Sequence, residues 1–98
     1  MSEVITYETR QEILAFIVAY RNVLPYCPTI REIGEAVSIK TPSVVKYHLD
    51  YLARLGYLDW LENQARTVHA TREGNRIVIQ ILVTEFEQRL QKDLPLRS

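Results

Sequence analysis

At Gly56 the chain changes its hydrophobic period. Before it, Val45, Leu49, Leu52 and Leu55 recur at spacings of four, three and three, the repeat of one helix face. After it, YLDWLE (57–62) and ARTVHA (65–70) read as two short strands around Asn63 and Gln64. Glycine at the boundary is a helix C-cap signal, because it takes the left-handed conformation that ends a helix without a Cβ penalty. The helix over 43–55, helix 3 of the chain, must therefore stop at Gly56 and feed directly into a β-hairpin. That restricts the chain to folds that pack a few helices beside a small β-ribbon.

The segments upstream are punctuated as clearly. Thr41 followed by Pro42 is an N-cap and first-turn pair, so helix 3 begins there. Thr29 with Glu32 three residues later is a capping-box signal for a short helix IREIGEAV, with Ile30, Ile33 and Val37 on one face. Gly34 lies inside it at a cost of roughly 1 kcal/mol against alanine, which points to a close contact. Pro25 and Pro28 bracket a loop before it. Thr6 is read as the cap of a first helix running from about Tyr7 to Arg21, with Ile13, Ile17 and Tyr20 on its apolar face and Leu14, Phe16 and Val18 alongside. A last helix is expected from Thr71 to about Lys92, striped by Val78, Leu82, Phe86 and Leu90 and widened by Ile77 and Ile81.

Three short helices followed by a two-stranded hairpin is the order of a winged helix-turn-helix: mainly α with a small β-hairpin wing, a three-helix core and a C-terminal helix. Residues 1–72 form that domain, and 73–98 a terminal helix expected to make a homodimer. Its band of Ile77, Val78, Ile81, Leu82, Phe86 and Leu90 is wider than a small wing can cover. With 98 residues the chain is one domain that buries roughly 60–65% of its unfolded surface, so a second subunit adds useful burial.

The outward face of helix 3 is polar. Ser43 and Lys46 can hydrogen-bond to base edges, Val44 can meet a thymine methyl, and Tyr47 a base or a phosphate. Thr41 opens the helix that would enter the groove. Arg66, with His69 and Arg72 at the far end of the hairpin, is placed for phosphates or the minor groove. The expected partner is double-stranded DNA. Charge alone does not argue for it: 12 Lys and Arg balance 12 Asp and Glu. A protein-interaction adaptor on the same fold is the other reading, supported by that neutrality and by Tyr47, Tyr51, Tyr57 and Trp60.

The stretch from Pro28 to Gly56, P-T-x-R-E-I, then T-P-S, then H-L-x-x-L-A-R-x-G, resembles the DNA-binding domain of the LexA repressors, as does ITYETRQEILAFI before it. The resemblance implies that helix 3 reads the major groove with Ser43, Val44, Lys46 and Tyr47 at the reading positions. It implies a packing or phosphate-side role for His48. The family has acidic residues where this chain has Lys46 and Tyr47, so its operator does not carry over. The family also continues into a self-cleaving peptidase domain. This chain ends at Ser98, which sets the expectation of a small stand-alone regulator. HATREGNR resembles the wing-to-helix junction of MarR-like regulators, where a terminal helix makes the dimer.

Catalysis has little support. There is no glycine-rich phosphate loop, and His48 and His69 lack partners at metal-ligand spacing. Cys27, the only cysteine, is a small hydrophobe or a thiol sensor. No cofactor and no metal is implied. The longest apolar run, Ile77 to Val83, is far below the roughly 20 residues of a membrane span, and no leader precedes the first helix, so a cytoplasmic protein is expected.

Overall fold

The computed structural model describes residues 2–93, and their side chains from Glu8 to Lys92. The elements in order are α1 (Ser2–Val23), α2 (Ile30–Ala36), α3 (Pro42–Arg54), β1 (Leu58–Asp59), β2 (His69–Ala70), α4 (Arg72–Ile77) and α5 (Gln80–Asp93). This is the helix-turn-helix and hairpin order expected, mainly α with one two-stranded antiparallel ribbon.

α1 is the centre of the molecule. All eight residues from Ile13 to Tyr20 are buried, which for a helix means burial on every side. α2 and β2 cover part of it, and α5 lies along the rest. The helix starts at Ser2, so Thr6 is inside it rather than its cap; SEVIT holds no glycine or proline to halt propagation.

The local signals of the next segments act as their chemistry demands. The Thr29 hydroxyl accepts from the Glu32 N–H at 3.0 Å, and the Thr29 N–H donates to the Glu32 carboxylate at 2.9 Å. Thr41 takes the cap position of α3 with Pro42 behind it, yet its hydroxyl makes no capping bond. At the other end Gly56 has φ +86°. Its N–H donates to Ala53 O at 2.9 Å and the Tyr57 N–H to Leu52 O at 3.0 Å, the paired bonds of a Schellman stop.

The ribbon is shorter than YLDWLE and ARTVHA promised. Only Leu58–Ala70 and Asp59–His69 pair. Beyond them a side chain replaces the ladder: the Thr67 hydroxyl accepts from the Leu61 N–H at 2.8 Å and reaches the carbonyls of Leu61 and Gln64.

The C-terminal segment departs most from expectation. It is two helices, broken where Val78 becomes extended (φ −65°, ψ 147°). Thr71 caps α4 by accepting from the Gly74 N–H at 3.1 Å. A stripe spaced by four drifts about 40° per step around a 3.6-residue helix, so one straight helix cannot keep it on one target. After the break, Val83 and Phe86 are buried and Leu82 and Leu90 half-buried against the core. The Phe86 ring meets Phe16 edge-on at 5.4 Å. The band expected to be uncovered is therefore largely covered by α1 of the same chain. Of the six residues assigned to a dimer interface, Val78 and Phe86 are core, and Ile81 alone is fully open at 68% exposure. Residues 94–98 of the terminal segment lie outside the described residues.

Candidate nucleic-acid interface

α3 is held from inside by Val45, Leu49 and Leu52, all buried. That fixes what it shows outside. Ser43, Val44 and Tyr47, at i, i+1 and i+4, are exposed on one face, with Thr41 and Pro42 at its start. Lys46 is half-exposed on the side turned toward the wing, where it shares a groove with Trp60. The expected reading residues are thus brought together on α3, with Lys46 set apart from Tyr47.

His48 points inward and is 7% exposed. Arg10 of α1 donates through Nε to its Nδ1 at 3.2 Å, so the neutral ring carries its proton on Nε2. The Arg10 guanidinium also lies 3.5 Å from the centre of the Tyr51 ring and 5.7 Å from that of Tyr47. One α1 side chain thereby braces the back of the presented face. Burial first, and the positive Arg10 second, hold the His48 imidazole below its ordinary value of 6.5. The unfolded chain then takes up a proton that the folded chain resists. Stability from this group is complete above pH 6.5 and is lost as pH falls through the depressed folded value. Urea denaturation from pH 7.5 downward should show this slope starting near 6.5, and His48→Asn, which keeps an acceptor but cannot titrate, should flatten it. An unchanged slope would assign the dependence elsewhere.

Arg66, at φ +60°, turns back onto the body. Its Nη1 donates to Cys27 O at 2.9 Å and lies 3.2 Å from both the Tyr20 hydroxyl and the Glu32 carboxylate; the guanidinium sits 4.7 Å from the Tyr26 ring centre. The same carboxylate accepts from the Tyr20 hydroxyl at 3.0 Å. Burial works to raise the Glu32 value, but the Thr29 N–H, Tyr20 hydroxyl and Arg66 outweigh it, and the carboxyl is held below its usual range. One carboxylate therefore ties α1, the α2 cap and the wing together, with Arg66 as the wing's contribution. His69 is exposed with Nδ1 2.9 Å from Thr67 O, and Arg72 is exposed in the first turn of α4. Neither makes a side-chain hydrogen bond or ion pair to α3 among the described residues.

Of the aromatic cluster that suggested an adaptor, Tyr51, Tyr57 and Trp60 are half-buried and only Tyr47 is open, at 57%. Among the described residues no group of three or more His, Cys, Asp and Glu could hold a metal, and no helix is long and apolar enough to cross a membrane.

A family model described as the LexA DNA binding domain matches residues 6–67, from α1 to the end of the wing loop. This chain belongs to the LexA DNA-binding-domain family. The LexA repressor of Myxococcus xanthus is 41% identical over 71 residues, covering 72% of this chain and 32% of the relative. That of Oenococcus oeni is 41% identical over 70 residues, covering 70% and 33%, and that of Thermobifida fusca 43% over 61 residues, covering 62% and 24%. The chain spans about a third or less of the length of these curated relatives.

The LexA-family match ends at residue 67, before β2, so α4 and α5, the elements that differ most from expectation, lie outside it. Sequence reasoning passed over Arg10, which braces Tyr47, and the exposed wing amides Asn63 and Gln64. Only the amides had a signal, their place at the hairpin tip. Nothing in the spacing of Arg10 and Tyr47, 37 residues apart, could have paired them.

Proposed function

We propose that this LexA-family domain is a sequence-specific double-stranded-DNA-binding transcriptional regulator, acting as a repressor, with α3 as the reading helix. The observation that carries this reading is the exposed Ser43, Val44 and Tyr47 face on a helix otherwise locked into the core. Family membership supports it. Thr41, whose hydroxyl is not used for capping, and the Ser43 N–H suit a phosphate at the groove edge, since Pro42 has no N–H and those of Val44 and Val45 donate to Thr41 O. Ser43 and Tyr47 approach base edges, Val44 a thymine methyl, and Lys46 a base edge on the wing side. Asn63 and Gln64 are the wing groups free to donate, and they replace Arg66 in that role. His69 and Arg72 remain peripheral backbone contacts.

A homodimer has less surface than the full apolar band would offer. Ile79 and Ile81, 39% and 68% exposed at the start of α5, are what a second copy would cover, with Leu82 and Leu90 at the margin. Two copies would place their α3 helices on a two-fold site with half-sites about 34 Å apart or a multiple of that.

Selection from random duplexes at moderate salt tests both points. One enriched motif is expected, and an inverted repeat within it reports the dimer while a lone half-site reports a monomer. Lys46→Ala should weaken the selected site about fivefold or more beyond its effect on random duplex, the loss of one base contact, and equal loss on both would make Lys46 a phosphate contact. No enrichment with folded protein would overturn the DNA reading.

A further inference from the structure

Between α2, the turn after it and the wing lies a groove of about 980 Å³. That is at the upper end of small-molecule sites, roughly 300–1,000 Å³. Its floor is apolar. Val45 and Val68 are buried there, and Ile39 and Trp60 half-buried. Its rim is charged, and much of that charge is already committed. Arg31 pairs with Glu35 at 3.5 Å and Arg66 with Glu32 at 3.2 Å. Lys40 and Lys46 make no side-chain hydrogen bond or ion pair among the described residues, and Glu62 is the one rim carboxylate left unpaired.

The wing cannot easily fold down to fill this space. Arg66 anchors one side of its loop to the body, and Thr67 bonds across to Leu61. The result is a standing trough with an indole in its floor and two uncommitted ammonium groups against one carboxylate. A flat apolar body satisfies the floor, since the half-buried Trp60 ring gains from stacking. A terminal anion satisfies the lysines. Neither a neutral hydrocarbon nor a bare anion matches both.

We propose that this groove binds an aryl carboxylate, with its ring system against Trp60 and its carboxylate at Lys40 and Lys46, and that occupation competes with duplex DNA. The competition rests on the DNA reading given above, because Lys46 belongs to both surfaces; the groove itself does not depend on that reading.

Trp60 is the only tryptophan, so its indole N–H gives one resonance in a ¹⁵N-labelled sample of the full chain. Biphenyl-4-carboxylate is the probe, with neutral 4-biphenylmethanol and inorganic phosphate as controls. The carboxylate should shift Trp60 and the Ile39–Lys40 amides saturably. The alcohol should bind about tenfold more weakly, and Lys40→Gln with Lys46→Gln should remove about the same factor from the carboxylate while leaving the alcohol unchanged. If the double variant loses its native spectrum, Lys40→Gln alone carries the test, with about a threefold loss for the carboxylate only. No saturable shift at millimolar carboxylate, equal binding of the alcohol, or phosphate moving the same resonances with equal affinity each overturns the assignment. At carboxylate ten times its Kd, affinity for the selected duplex should fall about tenfold. Undiminished duplex affinity with the groove filled removes the competition. A filled groove in a protein that selects no duplex sinks the DNA reading and leaves the groove assigned.

Discussion

Phe86→Ala should cost the fold about 3 kcal/mol or more, the usual result of emptying a buried phenylalanine site. The ring is 6% exposed, edge-on to Phe16, with the Arg89 guanidinium 5.0 Å from its centre. Total stability for about 100 residues is of order 5–15 kcal/mol, so this one change removes a large share. Ile81→Ala, on the same helix at 68% exposure, should stay within about 0.5 kcal/mol. Urea denaturation of both variants at two protein concentrations separates two packings of α5. If α5 seals α1 within one chain, the two costs differ sharply and the midpoints do not move with concentration. Comparable costs and concentration-dependent midpoints would mean that α5 is held chiefly by a second copy.

Gly34→Ala should destabilise the domain by about 1–2 kcal/mol, the opposite of its usual sign in a helix, where alanine gains up to roughly 1 kcal/mol. An added Cβ would stand 2.6 Å from Ile39 O and 3.3 Å from a Val45 methyl. The first of these is backbone, held in place by the Ile39 N–H donating to Gly34 O at 2.8 Å. It cannot swing aside as a side chain would. Relief requires moving the turn, where Ser38 already sits at φ +63°, and the turn sets where α3 begins. Thermal and urea unfolding read the stability. Duplex affinity of the folded fraction reads the displacement of α3, and it should fall as well. A gain in stability would show that the turn yields freely and that Gly34 is not a packing requirement.

The features legible in the chain were those whose cause lies within a few residues. The Thr29–Glu32 box, the Thr41–Pro42 start and the Gly56 stop are local hydrogen-bonding and dihedral requirements, and each appears in the fold where the letters place it. The ladder Val45, Leu49 and Leu52 likewise decides which side of α3 faces in, and so which residues it offers to a partner. Leu55, the last rung, is half exposed because the helix ends beneath it.

What tertiary structure alone decided depends on groups brought from far along the chain. Arg66 carries no mark in the sequence that says which groups it meets; Tyr20 and Glu32, 46 and 34 residues away, hold it against the body. The paired strands are short because one Thr67 hydroxyl stands in for the ladder. The run ILAFIVAY required α1 to be covered on every side, since an apolar residue left in water loses about 25 cal/mol for each Å² not buried. That requirement was written in the chain, but the identity of the final cover was not. A second copy and α5 would satisfy the same hydrophobic demand, and only the break at Val78, which redirects α5 back along α1, selects between them in this structure.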